Sequence, residues 1–323
     1  MKILVTGGAG YIGGFMVRGL LNRGDEVSVL DNFSRSTEVD LDSSVKVLNG
    51  DLLDKKFLEK VFRDKFDCVI HFAGLISMGE SMQNPYIYFE NNTYGTLNLI
   101  EAMTKGNVGN IIFSSTAGVY GNPQETPIKE EHPKLPTNPY GESKLMVETV
   151  LKWYGEIFDL NFISLRYFNA AGASLDGKYG ESHQPESHLI PNVINSILKD
   201  KEFELYGDSY NTSDGSCVRD YIHVLDLIDA HLLALDKVVS DGGMYFYNVG
   251  TGNGYSNKEV VSEIEKVSGK KVKTIISPPR PGDADVLIAD VGNIKKDLNF
   301  HPRFSDLSTI VKSAWKWHSE NNY

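Results

Sequence analysis

The chain of 323 residues holds 16 tyrosines, and only Tyr140, in "NPYGESKLMVE", is followed four residues on by a lysine. On a helix that spacing sets the phenol of Tyr140 and the ammonium of Lys144 on one face. A tyrosine in water titrates near pH 10 and is a poor base at neutrality. A neighbouring cation favours the phenolate, so the pair could take a proton from an alcohol while hydride passes to a nicotinamide. Exposed Tyr/Lys pairs at this spacing are common on helices, and the pair alone decides nothing. Thr116, in "FSSTAGVYG", adds a hydroxyl at the end of an apolar run. At the carboxyl edge of an open α/β sheet, where ligands bind, it could hydrogen-bond the same alcohol oxygen. Hydroxyl residues after a strand also serve as turn formers; beside a dinucleotide site the catalytic reading is preferred.

Such a site is suggested by "VTGGAGYIGG", where Gly7, Gly10 and Gly13 stand between an apolar run and an amphipathic one. Glycines there allow a tight turn, let backbone approach a pyrophosphate and let helix pack on strand. The helix amides and dipole then favour the anion. Asp31 ends the second apolar run, 18 residues past Gly13. A carboxylate in that place accepts from an adenosine ribose and repels a 2′-phosphate, which favours NAD over NADP, although Arg35 lies close by. Asp51, closing the third run, is a candidate adenine contact.

The elements that must position these groups alternate. "KILVTG", "EVSVLD", "VKVLNGD", "DCVIHFAG", "NIIFSS" and "NFISLRYFN" have the near-continuous apolar character of strands buried on both faces. Helical patterns cover 12–23, 55–66, 91–104 and 141–158, so the fold class expected is a doubly wound parallel α/β sheet. After Gly172 the rhythm stops. "ASLDGKYGESHQPESHL" reads as a long polar loop, followed by a short helix over 190–198 and the helical run "VLDLIDAHLLALDKV". The organisation expected is a Rossmann domain over 1–175, with about 220–250 returning to it, and a smaller α+β domain over 176–323.

Composition removes several classes of function. A net charge of −11 opposes general binding of nucleic acid or anionic membranes. Two cysteines, Cys68 and Cys217, cannot build a disulfide framework and suit a reducing compartment. The opening "MKILVTGG" does not read as a signal peptide, and no run of about 18 apolar residues appears. A cytoplasmic protein without membrane or nucleic-acid partners is expected. The eight histidines show no familiar metal-ligand spacing, so no metal is expected.

Taken together, "VTGGAGYIG", "LDN", "GDLLD", "HFAG", "FSSTAGVYG", "PYGESKLMVE", "LRYFNAAGA", "HLIP", "DGSCVRDYIHVLDL", "YNVGTG" and "RPGDAD" resemble the extended short-chain dehydrogenase/reductase superfamily and, within it, the UDP-glucose 4-epimerases. The resemblance implies NAD held by Gly7, Gly10, Tyr11, Ile12, Gly13, Asp31, Asn32, Asp51, Leu52, Phe72, Ala73, Gly74, Asn91, Ser114, Tyr140, Lys144 and Tyr167. It implies a UDP-hexose gripped through Thr116, Tyr140, Asn169, His188, Leu189, Tyr206, Arg219, Arg280 and Asp283. Among these, Arg219 and Arg280 would bind phosphate, Asp283 the uridine ribose, and Tyr206 would pack beside uracil. The reaction implied is a redox loop: Tyr140 takes the 4-hydroxyl proton, C4 gives hydride to NAD, the 4-keto sugar turns about its diphosphate, and hydride returns to the other face. A homodimer through a four-helix bundle, using 91–104 and 141–158 of each subunit, is also implied.

Three positions depart from the resemblance. Ile76 stands where several members carry a lysine on the cofactor ribose. His188 replaces a common asparagine. Leu287 stands where a tyrosine would close off room for a 2-acetamido group, so UDP-N-acetylhexosamines are expected as further substrates. A nucleotide-sugar 4,6-dehydratase would need Asp-Glu after Thr116, where this chain has Ala117 and Gly118. A UDP-glucuronate 4-epimerase is only weakly separated by sequence. An NAD-sensing regulatory protein would need the glycine loop but not the Tyr140–Lys144 pair.

Overall fold

A computed structural model describes residues 1–36, 41–183, 185–279 and 283–321. In chain order the first elements are β1 (Lys2–Thr6), α1 (Tyr11–Arg23), β2 (Glu26–Asp31), β3 (Lys46–Asn49), α2 (Lys55–Val61) and β4 (Cys68–His71). Then come α3 (Met78–Gln83), α4 (Pro85–Tyr88), a π-helical turn (Phe89–Tyr94), α5 (Gly95–Gly106), β5 (Asn110–Thr116), α6 (Pro139–Phe158), β6 (Asn161–Tyr167) and β7 (Asn169–Ala171). The later chain forms α7 (Leu189–Leu198), β8 (Glu202–Tyr206), β9 (Val218–Arg219), β10 (Tyr221–His223), α8 (Val224–Ser240), β11 (Met244–Val249) and β12 (Tyr255–Ser256). It closes with α9 (Asn257–Ser268), β13 (Lys273–Ser277), β14 (Val286–Leu287), α10 (Gly292–Leu298) and α11 (Leu307–Glu320).

Two compact units emerge: Met1–Gly121 with Lys134–Arg166 and Ile228–Tyr247, and Asn122–Pro133 with Tyr167–Leu227 and Asn248–Tyr323. A seven-stranded sheet runs in the order β11-β6-β5-β4-β1-β2-β3. Pairing is parallel between β1 and β2, β1 and β4, β2 and β3, and β4 and β5. The apolar runs became strands because both faces are covered: Leu4, Val69, Ile111 and Phe113 join Leu99, Met103, Val147 and Leu151 in one buried cluster of the first unit. Strand order reverses between β1 and β4, which is where a doubly wound sheet opens a crevice for ligands.

Two expected helices differ in detail. The one read over 55–66 stops at Val61, where Phe62 leaves helical geometry as its C-cap. The one read over 91–104 is a π-helical turn followed by α5, a local widening that periodicity alone does not reveal.

The second unit packs its own core from α7, α9 and α11, with Ile190, Val193, Ile194, Val260, Ile264, Ile310 and Val311 fully or almost fully buried. Its strands are short. The β8–β13 and β7–β10 pairs are parallel, and β9 lies between β12 and β14. Among the described residues no helix is long and apolar enough to cross a membrane.

Candidate functional site

The glycine turn is built as its composition requires. Gly7 has φ +70°, and a Cβ there would lie 2.6 Å from the Ala73 nitrogen. A Cβ on Gly13 would meet the Gly7 carbonyl oxygen at 2.1 Å. Any side chain at either place would fill the space between turn, helix and the Phe72–Ala73 backbone. Gly10 caps α1 without any side-chain hydrogen bond, and the start of a helix favours an anion through its N–H groups and dipole. Asp31 Oδ2 accepts from the Ala9 N–H at 3.0 Å and Oδ1 from the Phe33 N–H at 2.8 Å, so its carboxylate is fixed at the end of β2. Asn32 Nδ2 donates to Asp51 Oδ2 at 2.8 Å, and Asp51 Oδ1 accepts from Leu53 N–H. Arg35, the residue that left NADP open, instead pairs with Glu80 at 2.7 Å. These residues fit an adenine dinucleotide: a helix start, a close-approach glycine turn and an acidic ribose acceptor.

The chemistry-bearing side chains lie on α6. Asn138 caps it through its side chain, which accepts from Gly141 N–H at 2.9 Å, and Pro139 opens the first turn. Tyr140, Lys144 and Glu148 then recur every four residues, which brings them to one face. Tyr140 is partly buried and meets Tyr88 edge to face, and the Thr116 hydroxyl near it works to lower its phenol. Lys144 is buried; its Nζ donates to the Ser114 carbonyl at 2.9 Å and lies 5.0 Å from the centre of the Phe113 ring. Glu148 is the foundation of this face. It accepts from Ser115 Oγ at 2.7 Å, Ser164 Oγ at 2.9 Å, and both Nε and Nη2 of Arg166. The network locks α6 to β5 and β6.

The electrostatics correct one expectation. Burial raises the Tyr140 phenol above its ordinary value, with the Thr116 hydrogen bond opposing it. Lys144 does not contribute the expected lowering. Burial brings the Lys144 ammonium itself down to about 8, and that group is turned to the Ser114 carbonyl.

Asn92 was missed by sequence reasoning, which chose Asn91. In the π-helical turn the Asn92 side chain accepts from Leu75 N–H at 2.8 Å and donates to Leu75 O at 2.9 Å and Ser143 Oγ at 3.1 Å. Asn91 Nδ2 only donates to Asn92 Oδ1. A Cβ on Gly74 would lie 3.2 Å from Asn92 Oδ1 and 3.3 Å from Lys144 Nζ, so Gly74 leaves room between two polar groups. The adjacent Asn pair in "FENNTYG" was the available signal. Phe72 packs near His231, Leu52 is buried beneath α5, and Ile76 is 40% exposed.

In the second unit, Leu189, Tyr206 and Asp283 line one shallow cleft together with Ser187, Asn192 and Asn257. The Tyr206 hydroxyl donates to Glu204 at 2.6 Å. Arg219 donates to the Val218 and Ala284 carbonyls and pairs with Asp283 at 3.6 Å. Leu287 stands opposite Arg219 in the β9–β14 register. Asn169 Nδ2 donates to Asp220 O, and Tyr167 is buried at the end of β6. Arg280 lies outside the described residues. Asp220, also unanticipated, is fully buried and accepts from the amides of Thr251, Gly252 and Ala289.

The reading that no histidines sit at ligand spacing is corrected by "ESHQPESH". Glu181, His183, Glu186 and His188 each place one potential ligand atom within 4.8 Å of the others. His188 Nδ1 hydrogen-bonds Glu181 Oε1. Burial works to raise the Glu181 carboxyl, but the two imidazoles hold it below its ordinary range, and the Glu181 charge raises His188 in return.

Residues 3–250 match the model of the NAD dependent epimerase/dehydratase family. A UDP-glucose 4-epimerase of Halalkalibacterium halodurans is 46% identical over 99% of this chain and 96% of its own length. The crystal structure of UDP-glucose 4-epimerase from Bifidobacterium longum in complex with NAD+ and UDP is 40% identical, with a TM-score of 0.94 over 99% of both chains. The UDP-Glc/GlcNAc 4-epimerase of Campylobacter jejuni is 41% identical, with a TM-score of 0.86 over 99% of both chains.

Proposed function

The chain belongs to the NAD dependent epimerase/dehydratase family, among its UDP-glucose 4-epimerases, and on that footing we propose how it interconverts UDP-glucose and UDP-galactose. The observation that carries the proposal is the face of α6 on which Tyr140, with the Thr116 hydroxyl near it, stands one turn before Lys144. Bound NAD supplies a reversible hydride acceptor and a positive charge, so oxidation and re-reduction at C4 leave no net redox change. The Gly7–Gly13 turn, Asp31 and Asp51 hold the dinucleotide, and Asn92 keeps Gly74 and Lys144 in register beside it. Tyr140, as its phenolate, takes the proton of the sugar 4-hydroxyl and returns it on the way back. Thr116 offers a second hydroxyl to the same oxygen. Lys144 stands one turn on, and the positive charge of bound NAD favours the phenolate. In the second unit Arg219 and Asn169 serve the diphosphate, Tyr206 the uracil and Asp283 the ribose, with Leu189 and His188 beside them. Incubating the purified chain with UDP-galactose and NAD, then separating the products, tests the reading: UDP-glucose should appear, and no conversion would refute it.

Room for a 2-acetamido group is supported by Leu287 in place of a tyrosine, and the Campylobacter jejuni relative bears the name of a UDP-Glc/GlcNAc 4-epimerase. Leu287→Tyr should abolish turnover of UDP-N-acetylglucosamine while sparing UDP-glucose. A wild type inert towards the acetamido sugar would defeat this part. A 4,6-dehydratase is disfavoured by Ala117 and Gly118 after Thr116. The chain acts in the cytoplasm as a homodimer on this reading, because α6 leaves Trp153, Ile157 and Phe158 each more than half exposed. A monomer by light scattering at micromolar concentration would contradict the assembly.

A further inference from the structure

We propose that Glu181, His183, Glu186 and His188 of the second unit bind one divalent transition cation of the zinc class. Four potential ligand atoms, one from each residue, lie within 4.8 Å of one another. Zinc–nitrogen and zinc–oxygen bonds of about 2.0–2.2 Å set tetrahedral ligands about 3.4 Å apart, so closure asks for movement on the order of 1 Å. Among the described residues between β7 and α7 no helix or strand fixes the backbone that carries these side chains.

The imidazoles converge. His188 Nδ1 hydrogen-bonds Glu181 Oε1, and His183 Nδ1 lies 2.9 Å from the same oxygen. That second approach lacks hydrogen-bond geometry, and His183 Nδ1 is buried without a hydrogen-bond partner. A buried polar atom left in this way calls for an explanation, and a cation between imidazole and carboxylate provides one. Two carboxylates balance the double positive charge when both imidazoles are neutral.

The surrounding hydrogen bonds already orient the donors, as outer-shell partners do in metal sites. Trp317 Nε1 donates to the Glu181 carbonyl at 2.9 Å, which ties the ligand segment to α11. Glu186 Oε1 accepts from the Ser187 and His188 N–H groups at 2.8 and 2.9 Å. Calcium and magnesium prefer all-oxygen shells, whereas two imidazoles with two carboxylates suit zinc and its neighbours. The cation would clip the chain before α7 to α11. His188, ligating through Nδ1, keeps Nε2 for a substrate oxygen.

The test uses untagged full-length protein stripped with a chelator. Titration with zinc chloride, followed by calorimetry and elemental analysis after desalting, should find one equivalent per chain and a raised melting temperature. Cobalt(II) should give the intense visible absorption of a four-coordinate ion. His183→Ala/His188→Ala should lose the equivalent and the thermal shift. His188→Ala alone, a change to a side chain 45% exposed, should weaken binding at least tenfold with the fold intact. Wild-type protein that retains no zinc overturns the proposal, and so does an equivalent that both variants hold as tightly as wild type.

Discussion

Glu148 and Glu181 are both buried carboxylates, at 3% and 4% exposure, yet their partners give them different duties. Glu148 is met by a guanidinium fork and two hydroxyls, while the Arg166 guanidinium lies over the rings of Tyr120 and Phe246. None of those donors exchanges protons near neutrality, so the network is a permanent frame for α6. Glu181 is met by imidazoles, which can give up a proton or accept a metal. The comparison separates a carboxylate that fixes geometry from one whose partners are replaceable. The histidines repeat it. His71, between Thr6 and Thr96, and His223, beside Ser313, are buried and bonded to hydroxyls, whereas the exposed His188 is held by a charge.

The sharpest way to break the comparison is Arg166→Met, which strands Glu148 without its cation. A loss of about 3–5 kcal/mol in urea unfolding is expected, because a buried charge loses its partner. Glu148→Met/Arg166→Met together should cost less than Arg166→Met alone. Equal losses would show that the pair does not act as one unit.

Next in size is the acid limb. Burial lowers His71 to about 3 and His223 to about 4. Both folded values lie below the unfolded one, near 6.5, so the unfolded chain binds more protons as pH falls. Their contribution is whole above about pH 6.5 and is lost as pH descends towards 4 and 3, by about 1.4 kcal/mol for each unit by which the pKa is displaced. His71→Asn or His223→Asn should each remove about 1.4 kcal/mol per pH unit from the slope in that window. An unchanged slope would mean that these imidazoles charge within the fold.

The smallest effect belongs to Glu181→Gln in chelated protein, about 1.5–3 kcal/mol, the range for hydrogen bonds to charged groups. A loss as large as that of Arg166→Met would place Glu181 with the fixed frame instead.

What could be read in advance follows the same division. Strands β1, β2, β4, β5 and β6 were legible because their runs are mostly apolar and buried, whereas β3 is largely exposed. The glycine turn and the Tyr140–Lys144 spacing were legible because local geometry allows few residue types there. Glu148 was not singled out: a glutamate in "KLMVETV" reads as a solvated face until Arg166, 18 residues later, is known to meet it. Asn92 was hidden by a π-helical turn that sequence periodicity reads as plain helix. The short strands β9, β10, β12 and β14, of two or three residues each, carry too little pattern to detect. The Glu181–His188 cluster lay in a stretch read only as polar loop, although "ESH" occurs there twice. The direction of the Tyr140 shift depended on burial, which spacing does not report.

The proton-accepting role of Tyr140 is tested most directly by following UDP-galactose conversion by Tyr140→Phe protein with NAD supplied, and UDP binding by the same protein. Loss of the proton acceptor should lower kcat by about 10²–10⁴-fold with UDP still bound. A phenylalanine variant that epimerises at the wild-type rate would contradict the assignment.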